Sequence, residues 1–365
     1  MTRPRIAFAS PAPGEDAAAV RAAIERVVAS GWYVLGPEVS AFEAEFAAAC
    51  RAPHAVGVGN GTDALALILR ALGIGPGDEV ITTPLSAAYT ALAIMMAGAR
   101  PVFADVDADT LTLDPAAIAS AITSRTRAIL PVHLYGQAAD MTAIEAVASR
   151  HGLAIVEDCC QAHLATADGR PVGTIGVAGA FSFYPTKNLG ALGDGGAIVT
   201  RDAALADRLK RLRNGGQRDR YHHELPGINS RLDEMQAAIL RARLPFLPGW
   251  TAARRGHAAA YRSALPEGPV ALMPERDAGH VYHLFVVRAR RREALRRHLT
   301  AAGIETLIHY PVAIPNQPAL QAQAPRECPV AALACGEVLS LPLYPAMAPS
   351  VVSDVAAALG DFQKE

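Results

Sequence analysis

Lysine is nearly missing from this chain. Of its 34 basic residues only Lys187, Lys210 and Lys364 are lysines, and arginine carries the rest of the positive charge. A guanidinium equals or exceeds an ammonium as a charge or a phosphate clamp, but it does not form a Schiff base, as a deprotonated lysine amine does. Lys210 lies in the charged helical stretch DRLKRLR and Lys364 is next to last, where any cation serves. Lys187, inside FSFYPTKNLGALGDGGAIVT, has no such setting. Its retention suggests amine chemistry, and a phosphate-clamping or snorkelling lysine is the competing reading.

Other scarcities exclude whole classes. Five cysteines, Cys50, Cys159, Cys160, Cys328 and Cys335, include no CxxC pair, which argues against a disulfide framework, structural zinc or any other metal site. The formal charge, 34 − 35 = −1, offers no excess of cations for a nucleic-acid backbone, so no nucleic-acid partner is expected. No apolar run approaches the roughly 18 residues of a membrane span. The opening MTRPRIAFASPAPGED meets proline, glycine and acids before a leader core could form, so a cytoplasmic protein without a membrane partner is expected. What is present is globular: 51% hydrophobic and 19% charged residues over 365 positions, enough for two domains.

From Pro53 to about Thr200, seven β-branched or aromatic runs (HAVGVG, DEVITTP, PVFADVD, RAILPVH, LAIVED, AFSFYP and GAIVT) alternate with helical patterns. TDALALILRALG sets Leu65, Ile68, Leu69 and Leu72 at helical spacing, and MTAIEAVASRHG does the same with Ile144, Val147 and Ala148. This alternation predicts an α/β fold with a mostly parallel seven-stranded sheet covered on both faces and ligands at the carboxyl ends of its strands. The last three runs crowd together without full helices between them, so that part of the sheet is expected to be mixed. After GINSRLDEMQAAILRARLPFLPGW the pattern changes. A large domain over 1–248 and a smaller C-terminal α+β domain over 249–365 are expected.

Three stretches could carry chemistry. In VGVGNGTDALA a strand turns through Gly57, Gly59 and Gly61 into a helix starting near Thr62, and backbone N–H groups at a helix start make an anion site. A dinucleotide fingerprint would need glycine at Thr62, although Asp78 stands about 20 residues on. A monophosphate or a mere tight turn also fits. In LAIVEDCCQAH, Glu157 and Asp158 end an apolar strand, where a buried carboxylate needs a cation or strong donors. A protonated pyridine nitrogen is one such partner and a helix to cap is another. Cys159 and Cys160 read most simply as small buried fillers. In the third stretch Ser182 precedes Lys187 by five positions, and the glycines after it lead into a strand, which leaves room for a planar ligand. A phosphate cradle, a buried acid and a lone lysine in one sheet together describe a site for pyridoxal 5'-phosphate (PLP).

With PVHLYGQ, VEDCCQAH, FSFYPTKNLGALGDGGAIVT and GINSRLDEMQAAIL in view, the chain resembles the DegT/DnrJ/StrS-type family of PLP-dependent nucleotide-sugar aminotransferases, from GTDAL to HYP. The resemblance implies an aspartate-aminotransferase-like fold and a homodimer whose active sites draw on both subunits. It also implies transamination of a nucleotide-linked ketosugar, with glutamate as amino donor. By the same resemblance Lys187 would hold PLP as a Schiff base and shuttle protons. Asp158 would pair with the pyridine nitrogen, and Gln161 would meet the ring oxygen. Gly61, Thr62 and Ser182 would hold the phosphate, with Asn229 reaching in from the second subunit. His309 and Tyr310 would lie near the substrate, and His163 would either line the pocket or serve structurally.

Two positions depart from the family pattern. Where many members carry an aromatic residue that stacks on the cofactor, this chain has Ala87, and Tyr89, two positions on, would lie about 200° around a helix. By the same resemblance, a branch of the family with alanine at this point includes enzymes acting at C3 of dTDP-linked 3-ketosugars, which makes that substrate class the expectation. The other departure is Leu164 after QAH, where glycine is common. Sugar dehydratases of the family carry histidine at the lysine position, so Lys187 argues against them. A non-catalytic PLP-binding regulator and a nicotinamide-dependent oxidoreductase are the rival readings.

Overall fold

The computed structural model describes residues 6–265, 268–321 and 327–363, and Lys364 lies outside them. All seven of these runs form strands of one sheet. Their spatial order is His54–Val58, Gly196–Thr200, Ala178–Ser182, Ala154–Asp158, Thr126–Leu130, Glu79–Thr82, Arg100–Phe103. The last five of these are parallel neighbours, whereas Gly196–Thr200 runs antiparallel to both strands beside it. The reason is the connection: Ser182 and Gly196 are joined by a loop without a helix, and a parallel return needs a crossover.

Helices cover both faces, as near-continuous burial of the strands requires. On one face Phe42 and Phe46 of helix Pro37–Ala49 pack on Phe181 and Phe183, and Phe46 meets both of those rings edge-on at 5.2 Å. On the other, helix Gly61–Ala71 lies against Val56, Val156 and Ile198, with Ala64, Leu65, Ala66, Leu67, Ile68 and Leu69 all buried. Strand alternation therefore sends Phe181 and Phe183 into the first layer and turns Ser182 to the opposite side.

Asp78, the acid a dinucleotide fingerprint would use, precedes strand Glu79–Thr82 at its amino end, away from the ligand edge. Its carboxylate accepts from the Gly75 N–H at 3.1 Å and pairs with Arg127 at 3.1 Å. Past Leu247, the helix Leu247–Ala264 leads to a second, antiparallel sheet of Val270–Leu272, Phe285–Ala289 and Val338–Leu341. That sheet has its own core, including Tyr261, Phe285, Leu295, Leu339 and Leu359. Among the described residues no helix is long and apolar enough to cross a membrane.

Candidate active site

Glu157 and Asp158 are successive residues of one strand and therefore face opposite ways. Glu157, fully buried, accepts from the backbone N–H groups of Gly173, Ile175 and Gly176 at 2.7–2.8 Å and lies 3.0 Å from His133 Nε2. His133 Nδ1 accepts from the Ala139 N–H, so Nε2 carries the proton that goes to Glu157. This acid has a full set of partners and holds the loop before the next strand. His133, Glu157 and Cys159 come close enough together to hold a metal ion, but hydrogen bonds already take the donor atoms of the first two.

Asp158, 5% exposed, has fewer partners. One carboxylate oxygen accepts from Thr90 Oγ1 at 2.8 Å, and the other from the Cys160 N–H at 3.1 Å. Both donors are neutral, and Lys187 lies within electrostatic reach of Asp158 and Cys160. Burial pushes the Lys187 amine below its ordinary value, and the neighbouring Cys160 and Asp158 oppose that shift. A lysine in that state yields its unprotonated, nucleophilic form more readily.

The start of helix Gly61–Ala71 closes the same edge. Asn60 caps it by accepting from the Asp63 N–H at 2.8 Å, while the first N–H groups have no acceptor within the helix. Gly61 is required here: a Cβ would sit 2.6 Å from Cys160 Sγ and 2.8 Å from Ser182 Cβ. Among the described residues the Ser182 hydroxyl accepts only a long 3.4 Å bond from the Tyr184 N–H and donates none, which leaves its proton for a ligand. Gly61, Ser182, Cys160, Asp158 and Lys187 thus share one end of the sheet, while Thr62 takes the second position of the helix.

Gln161 is held in one orientation. Its Oε1 accepts from the Tyr135 N–H at 2.7 Å, which forces the amide nitrogen outward, where one hydrogen goes to Tyr310 Oη at 2.9 Å. His309 Nδ1 is 2.9 Å from Ser340 Oγ, and burial together with the Lys187 charge lowers the imidazole to about 4. Burial raises the Tyr310 hydroxyl to about 12. Both groups are neutral near pH 7.

Several residues behave differently from the simplest expectation. His163 is enclosed beside Phe181 and Phe183, with no well-aligned hydrogen bond to either ring nitrogen among the described residues, and burial together with the Lys187 charge lowers it to about 3. Cys159 is fully buried, but Cys160 is half-buried and forms part of the site wall. Leu164 has φ +59°, the left-handed region in which glycine costs least, so the glycine expected there from the resemblance would fit this backbone with less strain. Ala87 precedes helix Tyr89–Met96, and Tyr89 is 65% exposed, while Thr90 turns to Asp158. Asn229 is exposed, bridged through its backbone to Asn214, while the adjacent Ser230 turns inward to Asp63 at 2.6 Å. It is not grouped with this chain's own Lys187.

Sequence reasoning assigned no role to Thr90 or Tyr135. Thr90 had a signal in the helical phase of its segment, whereas Tyr135 acts through contacts far along the chain. A cleft of about 600 Å³ reaches Lys187, walled by Ser10, Glu15, Thr186, Trp250 and Tyr344 among others, and its walls do not include Asp158, Ser182 or Gly61. A lysine amine, a buried carboxylate, an outward amide N–H and a glycine-lined helix start suit the aldehyde, the protonated ring nitrogen, the phenolic oxygen and the phosphate of PLP.

Comparison with known proteins agrees. The chain is 54% identical over 328 residues to dTDP-3-amino-3,4,6-trideoxy-α-D-glucose transaminase of Streptomyces venezuelae, covering 89% of this chain and 86% of that one. It is 46% identical over 345 residues to dTDP-3-amino-3,6-dideoxy-α-D-galactopyranose transaminase of Aneurinibacillus thermoaerophilus, covering 94% and 95%. The crystal structure of S. venezuelae DesV in complex with a ketimine intermediate matches with a TM-score of 0.96, at 50% identity over 99% of both chains. Residues 15–360 match the profile of the DegT/DnrJ/EryC1/StrS aminotransferase family, and the chain belongs to that family.

Proposed function

We propose that this PLP-dependent aminotransferase transfers an amino group from glutamate to C3 of a dTDP-linked 3-ketosugar, within aminodeoxysugar biosynthesis, as a homodimer with shared active sites. The observation that carries this reading is the gathering of Lys187, Asp158, Ser182 and Gly61 at one end of the sheet. When bound, PLP supplies the electron sink for charge that develops on the substrate carbon. Lys187 would bind the cofactor's aldehyde carbon and, once displaced by substrate, carry protons on Nζ. Asp158 would keep the ring nitrogen protonated, and the second Gln161 amide hydrogen would meet the ring oxygen.

The Gly61 and Thr62 N–H groups and the Ser182 hydroxyl would hold the phosphate, and the partner's copy of Asn229 would complete that cradle. His309 and Tyr310 would contact the substrate as neutral hydrogen-bonding groups. The names of the S. venezuelae and A. thermoaerophilus relatives support the 3-amino assignment, as does Ala87 standing where the family resemblance leads one to expect an aromatic residue. The test is the reverse reaction with dTDP-3-amino-3,4,6-trideoxy-α-D-glucose and 2-oxoglutarate, followed by mass spectrometry of the sugar. Formation of glutamate and a ketosugar supports the reading, whereas turnover of 4-amino dTDP-sugars alone would refute the C3 assignment.

A further inference from the structure

Tyr135 lies between the two halves of the site and is held in a backbone conformation that disfavours it. Its φ is +60°, a region that disfavours a bulky residue and that persists only where the surroundings impose it. The surroundings here are a closed ring of hydrogen bonds. The Tyr135 N–H donates to Gln161 Oε1 at 2.7 Å, and Gln161 Nε2 donates to Tyr310 Oη at 2.9 Å. The Tyr310 backbone continues into His309, whose carbonyl accepts from the Tyr135 hydroxyl. The Leu284 N–H donates to the Tyr135 carbonyl at 3.2 Å, and Tyr135 is 5% exposed. One residue thus fixes Gln161 with its main chain and the 309–310 segment with its side chain, across 174 positions of sequence. The ring also leaves two hydrogens unused. Gln161 Nε2 has a second one, and among the described residues the Tyr310 hydroxyl proton has no acceptor.

We propose that Tyr135 is a positioning residue that locks Gln161 and the His309–Tyr310 segment into one unit, so that cofactor and sugar meet a pre-aligned pair of donors. This rests on the reading of Gln161 as facing the cofactor and of residues 309–310 as facing the substrate. Removing the Tyr135 hydroxyl opens the ring at one bond and leaves its N–H in place. Removing the Tyr310 hydroxyl opens it at another.

The test uses Tyr135→Phe and Tyr310→Phe as PLP-loaded enzymes, with Gln161→Leu as reference. Three quantities are measured: melting temperature, the visible band of the bound cofactor, and the dissociation constant for dTDP-3-amino-3,4,6-trideoxy-α-D-glucose. With one hydrogen bond lost from a chain of this size, the melting temperature of Tyr135→Phe should stay within about 3 °C of the parent. The visible band should shift in the direction seen for Gln161→Leu, and the sugar should bind about tenfold more weakly. Tyr310→Phe should show the same pair of effects. A Tyr135→Phe enzyme with the parent's band and sugar affinity would overturn the proposal, as would a fall in melting temperature alone. If Gln161→Leu also leaves the band unmoved, the reading of Gln161 fails first; if it moves the band and Tyr135→Phe does not, only the positioning role fails.

Discussion

At the residue scale, two adjacent acids have opposite duties because a strand alternates its faces. Glu157 is saturated by three backbone N–H groups and His133, whereas Asp158 has two neutral donors and the neighbourhood of Lys187. Glu157→Gln puts an amide nitrogen where only acceptors fit, since each carboxylate oxygen now takes two donors. It should lower stability by about 2–3 kcal/mol while kcat stays within about threefold. Asp158→Asn should do the reverse, keeping the fold and lowering kcat/KM by about 10² or more, since an amide does not hold a proton on a pyridine nitrogen. Urea unfolding and steady-state kinetics on both variants separate the two roles. Equal kinetic losses would contradict the assignment.

At the element scale, the Lys187 loop depends on a helix distant from it in sequence. Helix Pro37–Ala49 presents Phe42 and Phe46 to Phe181 and Phe183, and Glu234 holds its first turn. The buried Glu234 carboxylate accepts from the N–H groups of Gly36, Glu38 and Val39, each at 2.8 Å. Glu234→Ala strands those three donors, so the denaturant midpoint should fall by the equivalent of about 3 kcal/mol with an unchanged slope. A change within about 0.5 kcal/mol would contradict that role. Local pattern made much of this architecture legible. All seven strands follow from β-branched or aromatic runs, and the antiparallel return of Gly196–Thr200 follows from the missing helix before it. The inward turn of Ser182 follows from period two alone. What local pattern does not carry is contact between distant segments. Tyr135 with His309, Gln161 with Tyr310, and Glu234 with Gly36 are hydrogen bonds across 149 to 198 positions, and no periodicity encodes them. The conformation of Tyr135 was equally hidden, because sequence preference argues against a tyrosine there.

At the scale of the whole molecule, burial of neutral histidines sets the acid limit. Burial takes His163 and His280 to about 3, below the roughly 6.5 of an unfolded chain. Between those values the unfolded state binds protons that the folded state refuses, so stability falls as pH drops from about 6.5 toward 3. By pH 5 each should cost on the order of 2 kcal/mol, seen as a lower melting temperature than at pH 7. Equal melting temperatures at the two values would contradict this. The proposed dimer predicts complementation: Lys187→Ala and Asn229→Ala, each impaired alone, should on subunit exchange recover up to about one quarter of parent activity, because half the mixed dimers' sites are intact. No recovery after confirmed exchange would argue against shared sites. The most direct test of the central claim uses the scarcity of lysine. Borohydride reduction of the PLP-loaded enzyme, followed by peptide mass mapping, should place the cofactor's mass on the peptide containing Lys187 and leave Lys210 and Lys364 unmodified. A label on either of those two, or a Lys187→Ala protein that still traps the cofactor, would contradict it.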